Sequence, residues 1–346
     1  MKAIVIHEFG PPDVLRYEEV PDPVPRAGEI LIKVHAATVN RVLDVSLRAG
    51  KEPARGAALP FIPGVDCAGI VDAVGPQVGR WRVGNHVAAA GIMPLDVCAE
   101  DGRGYDGPRG MMGIKRPGGF AEKVAVPACA VVALPEHLDF HRAAVVLRHV
   151  PTAWNLLVHV ADLKFDETVL IMGAGGNLGT VGIQIAKNVI GARVIAAAGS
   201  DARVSLGKKL GADHGINYAS ENIHDAIMKI TDGKGVDVLY DNIANPTVLP
   251  VAFRGIGMNG RLVTAGAHAG PKVAIDFSHL YHKRITIKGL PGYTPSDLPH
   301  CLEAAAQGKV IPQIERVLPL SQAAEAHRLV EAHKGQGKIV LDPTLG

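Results

Sequence analysis

The chain has 346 residues, enough for about two domains at roughly 150 residues each. It is 47% hydrophobic and 20% charged, and its 40 glycines and 24 prolines follow no period, which excludes collagen-like and disordered classes. Lys and Arg number 36 against 34 Asp and Glu, with no block of like charge long enough to track a phosphate backbone, so nucleic acid is not an expected partner.

The amino terminus turns polar at His7 and Glu8, too early for a signal-peptide core. No stretch approaches the roughly 18 apolar residues of a spanning helix, so a soluble, cytoplasmic protein without a membrane partner is expected. Cys67, Cys98, Cys129 and Cys301 form no C-x2-C pair, and their wide spacing predicts reduced, structural thiols.

Along the first 135 residues, glycines and prolines punctuate short β-type runs at 2–6, 29–34, 69–74, 86–90 and 122–126. That rhythm predicts a barrel-like antiparallel fold. Residues 91–118 show no periodicity and are expected to form a long loop. From about 139 the texture changes to a helix over 143–160, followed by strands at 169–173, 193–197, 215–218, 236–241, 261–266 and 285–289 alternating with helices. Such alternation predicts a parallel sheet covered on both faces. A helix over 296–307 and a last strand at 338–341, returned to the first domain's sheet, complete the expected elements.

The densest motif runs from Val169 to Gly179. A buried strand leads into a turn carrying Gly173, Gly175, Gly176, Asn177, Leu178 and Gly179, and an apolar-periodic helix follows over 180–189. A pyrophosphate bound there must touch backbone N–H groups at a helix N-terminus, and side chains on the turn would hold it away, hence the glycines. The strand before and the helix after make this a dinucleotide-binding signature. An NAD site usually ends its second strand on Asp or Glu for the ribose 2′-hydroxyl. Here the strand ends Ala196-Ala197-Ala198-Gly199-Ser200, and Ser200 and Arg203 offer a hydroxyl and a guanidinium to a 2′-phosphate, so NADPH is expected over NADH. Asp201 is dissonant unless its side chain turns to solvent or caps the next helix. Asn242, at the end of the fourth strand, and Gly266, Ala267 and His268, after the fifth, lie at the carboxyl ends of strands, where doubly wound sheets bind ligands.

Pro63-Gly-Val-Asp66-Cys-Ala-Gly69 through Gly75, Pro117-Gly-Gly-Phe120-Ala-Glu122, Pro151-Thr152-Ala153-Trp154, Gly211-Ala-Asp213 with Ile216-Asn-Tyr218, and Gly337-Lys338-Ile-Val-Leu341 stand in order along the chain. In these segments the sequence resembles the medium-chain dehydrogenase/reductase superfamily, in its zinc-independent quinone oxidoreductase-like branch. The resemblance implies an α/β architecture: a GroES-like β-rich catalytic domain from 1–138 and 297–346, and a doubly wound parallel-sheet (Rossmann) cofactor domain at 139–296. It also implies that Tyr218 lies against the adenosine phosphate, that Thr152 and Lys338 join the cofactor site, and that the protein is a homodimer with 285–289 as edge strand.

Zinc-dependent members hold their catalytic metal at positions that look like Asn40 or Arg41, Val65 and Arg148 here. Valine cannot ligate and arginine repels a cation. Their structural zinc uses four cysteines in the segment matching 91–118, where only Cys98 stands, so no zinc is expected. The resemblance therefore puts catalysis at Asn40, Arg41, Asp44 and Arg148, with Asn40, Arg41 and Arg148 as donors to the developing oxyanion. Between Asn40 and Asp44 the chain carries one residue more than the family's N-x-x-D spacing, so either Asn40 or Arg41 faces the nicotinamide. The expected activity is NADPH-dependent reduction of a small quinone or enone by direct hydride transfer. The alternatives are a non-catalytic NADPH-binding protein of the same fold, or a zinc alcohol dehydrogenase with displaced ligands.

Overall fold

The computed structural model describes every residue except 52–55, 90, 101, 103, 104, 291, 294 and 333–336. In chain order the early strands are β1 (Lys2–Ile6), β2 (Leu15–Glu19), β3 (Glu29–Thr38), β4 (Cys67–Val74), β5 (His86–Ala89), β6 (Ile92–Pro94), β7 (Arg109–Met111), β8 (Lys123–Pro127) and β9 (Val131–Ala133). Between β3 and β4, a π-turn over Arg41–Val45 leads into the short helix α1 (Ser46–Arg48). Ala90, the last residue of the strand expected at 86–90, lies outside the described residues.

Helix α2 (Phe140–Trp154) opens the alternating part, followed by β10 (Thr168–Met172), α3 (Asn177–Gln184), β11 (Arg193–Ala198), α4 (Asp201–Lys209), β12 (His214–Asn217), α5 (Ile223–Ile230), β13 (Val236–Asp241), α6 (Val248–Phe253), β14 (Ile256–Thr264), α7 (Phe277–His282) and β15 (Thr286–Gly289). Then come α8 (Leu298–Ala306), β16 (Ile314–Pro319), α9 (Ala323–Ala332) and β17 (Lys338–Asp342). The chain divides into two compact units, Met1–Arg148 with Leu298–Ala306 and Pro312–Gly346, and His149–Asp297 with Gln307–Ile311.

In the first unit β16, β17, β3, β4, β5 and β9 lie side by side, with β8 also pairing β3. Ile30, Ile32 and Val34 on β3 meet Val71 on β4 and Val124 and Val126 on β8 in one apolar core, as period-two burial requires. The expected return of the last strand is seen: β17 runs antiparallel to β3, with Val340 opposite Thr38 and Leu341 opposite Ala37. In the second unit all pairings are parallel, in the order β12-β11-β10-β13-β14-β15. This doubly wound order places the switch point between β10 and β13, where such sheets take their ligands.

Two expectations need correction. The segment 91–118 is not an unstructured loop, since β6 pairs β7 with Ile92 opposite Met111. Strands of three residues are too short to leave a readable alternation. Nor are all four thiols reduced: Cys98 is joined to Cys129, while Cys67 and Cys301 are buried and outside any disulfide. The excursion after β6 folds back on the residues that follow β8, so positions distant in sequence meet.

Candidate functional site

The second unit carries the glycine turn directly after β10. Gly173 takes φ +68, and a Cβ there would lie 2.8 Å from Asn242 Oδ1. A Cβ on Gly179 would lie 2.1 Å from the Gly173 carbonyl oxygen, so only glycine lets α3 start this close to the strand. Gly176 is the N-cap of α3, donating its N–H to the Gly173 carbonyl at 2.9 Å and accepting from Thr180 N–H at 2.8 Å. Asn177 is exposed and Leu178 half-buried at the opening of the helix. The Leu178 carbonyl accepts from the hydroxyl of the buried Tyr240. Across the switch point, Asn242 Nδ2 donates to the Met172 carbonyl at 3.1 Å, tying the ends of β10 and β13 together.

Arg203 lies along this turn, its Cβ, Cγ and Cδ occupying the space that a Cβ on Gly175 would need. Tyr218 packs over Gly199, is half-buried, and has its hydroxyl pushed up by that burial, opposed by the Arg203 charge. Ser200 caps α4 through its backbone and not through its hydroxyl. Asp201 is turned aside, accepting from Asn217 Nδ2 at 2.7 Å. Gly175, Ser200, Arg203 and Tyr218 are thus gathered at the ends of β11 and β12, with the one carboxylate of the loop engaged elsewhere. His268 stands beside Gly266, while Thr152 is buried within α2. A helix N-terminus with an open glycine turn and a guanidinium laid across it suits a pyrophosphate and further anionic groups.

The first unit carries a buried polar network built by strand register. Continuing the β17/β3 pairing by two places sets Lys338 opposite Asn40, and continuing the β3/β4 pairing sets Asp66 opposite Thr38. Lys338 Nζ donates to Asn40 Oδ1. Asn40 Nδ2 donates to the Thr38 carbonyl at 3.2 Å, to Thr38 Oγ1 at 3.1 Å and to Asp66 Oδ2 at 3.1 Å. Asp66 also accepts from Thr38 N–H and Thr38 Oγ1, both at 2.7 Å. Asp44 Oδ2 accepts from Asn40 N–H at 2.8 Å, whereas Asp44 Oδ1 is buried without a hydrogen-bond partner.

Burial drives the titrations of this network. Asp44 is pushed up to about 7, first by loss of solvent and then by the Asp66 charge. Asp66 is raised by burial, against the Thr38 hydrogen bonds and the Lys338 ammonium. Lys338 is lowered to about 8 by burial, against the two carboxylates.

The extra residue between Asn40 and Asp44 is absorbed as a π-turn, in which Val45 N–H reaches the Asn40 carbonyl at 3.1 Å. Asn40 lies inside the network with both ends of its amide engaged, and Arg41 stands exposed on the turn. Arg148 is half-buried at the end of the first unit and adds its charge to the field at Lys338. The structure therefore gathers Asn40, Asp44 and Lys338, and adds Thr38 and Asp66, which the site reading passed over. A lone acid in Val65-Asp66-Cys67-Ala68 was the available signal, since an Asp on an apolar strand needs partners.

Among the described residues, no group of three or more His, Cys, Asp and Glu side chains could hold a metal ion, and no helix is long and apolar enough to cross a membrane.

Comparison with known proteins agrees with both units. Residues 26–136 match the alcohol dehydrogenase GroES-like domain, and residues 177–307 match the zinc-binding dehydrogenase family. A quinone oxidoreductase of Sus scrofa is 32% identical, the match covering 99% of this chain and 97% of that protein. Among solved structures, an NAD-dependent alcohol dehydrogenase superposes with TM-score 0.88 at 32% identity, covering 99% of each chain. A mycobacterial protein complexed with NADPH superposes with TM-score 0.77 at 28% identity, covering 99% of this chain and 100% of that one. The chain belongs to the medium-chain dehydrogenase/reductase superfamily, in its quinone oxidoreductase-like branch, and is an NAD(P)H-dependent oxidoreductase.

Proposed function

We propose that the protein is an NADPH-dependent reductase of quinones or activated alkenes that works without zinc. The observation that carries this reading is the end of β11: Arg203 lies across Gly175, and the neighbouring carboxylates are engaged, Asp201 by Asn217 and Asp241 by the N–H groups of Ile243 and Ala244. A 2′-phosphate there meets a guanidinium and the Ser200 hydroxyl instead of an anion. Relatives alone do not choose the cofactor, since one similar structure is named for NAD and another was solved with NADPH.

The residues fit a nicotinamide dinucleotide. Gly173, Gly175, Gly176, Asn177, Leu178 and Gly179 would hold the pyrophosphate, Ser200, Arg203 and Tyr218 the adenosine end, and Asn242, Gly266, Ala267, His268 and Thr152 the remainder. When bound, the cofactor supplies a hydride. The zinc sites do not fit. Val65 is a buried aliphatic, Asn40 has its amide engaged, Arg148 is a cation, and Cys98 is bound to Cys129.

Charge developing on the acceptor's oxygen then falls to hydrogen-bond donors. Because Asn40 already donates three ways, we assign that role to Arg41 and Arg148. Lys338 belongs to the Asn40 network in this reading. The division into a catalytic domain, 1–138 with 297–346, and a cofactor domain, 139–296, is part of the same proposal, as is a cytoplasmic location.

A homodimer completes the reading. Strand β15 is a sheet edge with all four residues exposed, Ile287 among them, and Met258 on the paired strand β14 and Phe277 and Tyr281 on the preceding helix α7 present further apolar surface. Replacing Ile287 with Lys is expected to halve the mass seen by light scattering at micromolar concentration, and a wild-type monomer overturns this part.

The central test measures NADPH and NADH dissociation constants, followed by NADPH oxidation with a panel of small quinones and enones. Tighter NADPH binding and turnover on part of the panel are expected. Preference for NADH, or no turnover across the panel, overturns the reading.

A further inference from the structure

We propose that Asp44 and Lys338 are positioning residues for the Asn40–Arg41 turn, with Asp44 held in its neutral, protonated form and the Lys338 ammonium balancing Asp66 alone. The proposal rests on the reading that Arg41 serves the hydride acceptor.

The hydrogen-bond inventory assigns the charges. Asp66 receives three donors over its two oxygens, as an ionised carboxylate requires. Asp44 receives one donor on Oδ2 and none on Oδ1, although the side chain is fully buried. An unpartnered buried oxygen costs far more as part of an ionised carboxylate than as a neutral O–H, so the missing partner at Oδ1 favours the protonated form. One ammonium serves two acids, so a neutral Asp44 leaves Lys338 and Asp66 balanced. Lys338 Nζ then fixes Asn40 Oδ1, which directs Nδ2 toward Asp66 and Thr38. Asn40 N–H reaches Asp44 in turn, so the π-turn carrying Arg41 is anchored at its start and at its fourth residue.

The surrounding groups leave this balance intact. Asp66 precedes β4, Lys338 lies on β17 and Arg148 on α2, and their charges act on the network. From α9, which packs against the turn, His327 is buried and held neutral, lowered to about 3. Glu331 on the same helix pairs with Arg48 of α1, and Glu325 pairs with Arg328, which also reaches Asp13. Arg41 is exposed to solvent.

The sign of the pH dependence follows. A carboxyl raised in the fold keeps its proton where the unfolded chain has lost it. Its stabilising contribution is complete below the unfolded value of 3.8 and is lost as pH rises to about 7. Across that window the folding equilibrium constant should fall about tenfold per pH unit relative to Asp44→Asn, and then run parallel to it.

The experiment uses the full chain with carbon-13-labelled aspartate. One carboxyl signal is expected to titrate near neutrality and to be missing in Asp44→Asn, with urea unfolding showing the relative slope above. Aspartates that all titrate below about pH 5, or parallel stability curves throughout, overturn the proposal. For the reaction, Lys338→Met should lower kcat while the NADPH dissociation constant holds, and Lys338→Arg should recover part of the rate. A rise in the NADPH constant instead makes Lys338 a cofactor contact and overturns its positioning role. If no quinone or enone is reduced by any form while the Asp44 titration behaves as expected, the substrate reading fails and the neutral Asp44 stands.

Discussion

The glycine turn after β10 and the polar network around Asn40 solve opposite problems. The turn lies within residues 173–179 and works by removing side chains, so that backbone N–H groups and the start of α3 stay open. The network brings together Thr38, Asn40, Asp44, Asp66 and Lys338, and works by adding side chains until nearly every buried polar atom has a partner. One site tolerates charge because it is open, the other because its charges are matched. Substitutions should therefore fail differently, as loss of ligand in the first case and loss of fold in the second.

The largest effect is expected from Asp66→Ala. It strands the Lys338 ammonium and leaves Thr38 N–H, Thr38 Oγ1 and Asn40 Nδ2 without their carboxylate. Removing one side of a buried charge balance costs about 3–5 kcal/mol. Urea unfolding at neutral pH measures it, and a cost below about 1 kcal/mol, the usual value of an exposed pair, contradicts a tightly matched interior.

Next comes Gly179→Ala. Its methyl would sit 2.1 Å from the Gly173 carbonyl oxygen, so the start of α3 must move away from β10. Such overpacking costs about 1–3 kcal/mol. Displacement of the turn should weaken NADPH and NADH together, by about 5-fold at the low end of that range. Calorimetric titration of both cofactors checks it, and unchanged binding of either shows that the turn is not the pyrophosphate cradle.

Arg203→Ala sharpens the comparison within the open site. A charge-assisted hydrogen bond contributes about 1.5–3 kcal/mol, so NADPH should weaken about 10- to 150-fold. Because the Arg203 side chain is exposed, the lower end is expected. NADH should scarcely change, and equal losses for both would place the 2′-phosphate elsewhere.

The same contrast explains what could be read in the sequence. A strand, a glycine turn and a helix are local, so the fold class and residues 173–179 were legible from spacing and composition alone. The network was not, because strand register carries it: Lys338 and Asn40 are 298 positions apart. Asn40 could be singled out, but not the engagement of its amide, which depends on Thr38 and Asp66. The extra residue before Asp44 was visible as a count, yet whether it shifts the register or is absorbed as a π-turn depends on tertiary packing. The Cys98–Cys129 pairing was hidden for a similar reason, since nothing local reveals how the excursion after β6 folds back.

The smallest predicted effect concerns Asp201, the exposed carboxylate at the start of α4. It accepts from Asn217 Nδ2, which turns it aside. A unit charge roughly 8 Å from a 2′-phosphate in water costs about 0.5 kcal/mol per phosphate charge, and physiological salt screens much of it. Asp201→Asn should thus tighten NADPH by about 2- to 5-fold at low ionic strength, and by less at 0.15 M salt, where the Debye length is about 8 Å. Asparagine keeps an acceptor for Asn217, so α4 should begin unchanged and NADH binding should be flat at both salt concentrations. Titrating both cofactors at both ionic strengths separates charge from shape. A gain shared by NADH, or one that survives high salt, means the substitution has moved the loop, and with it Arg203, instead of removing a repulsion.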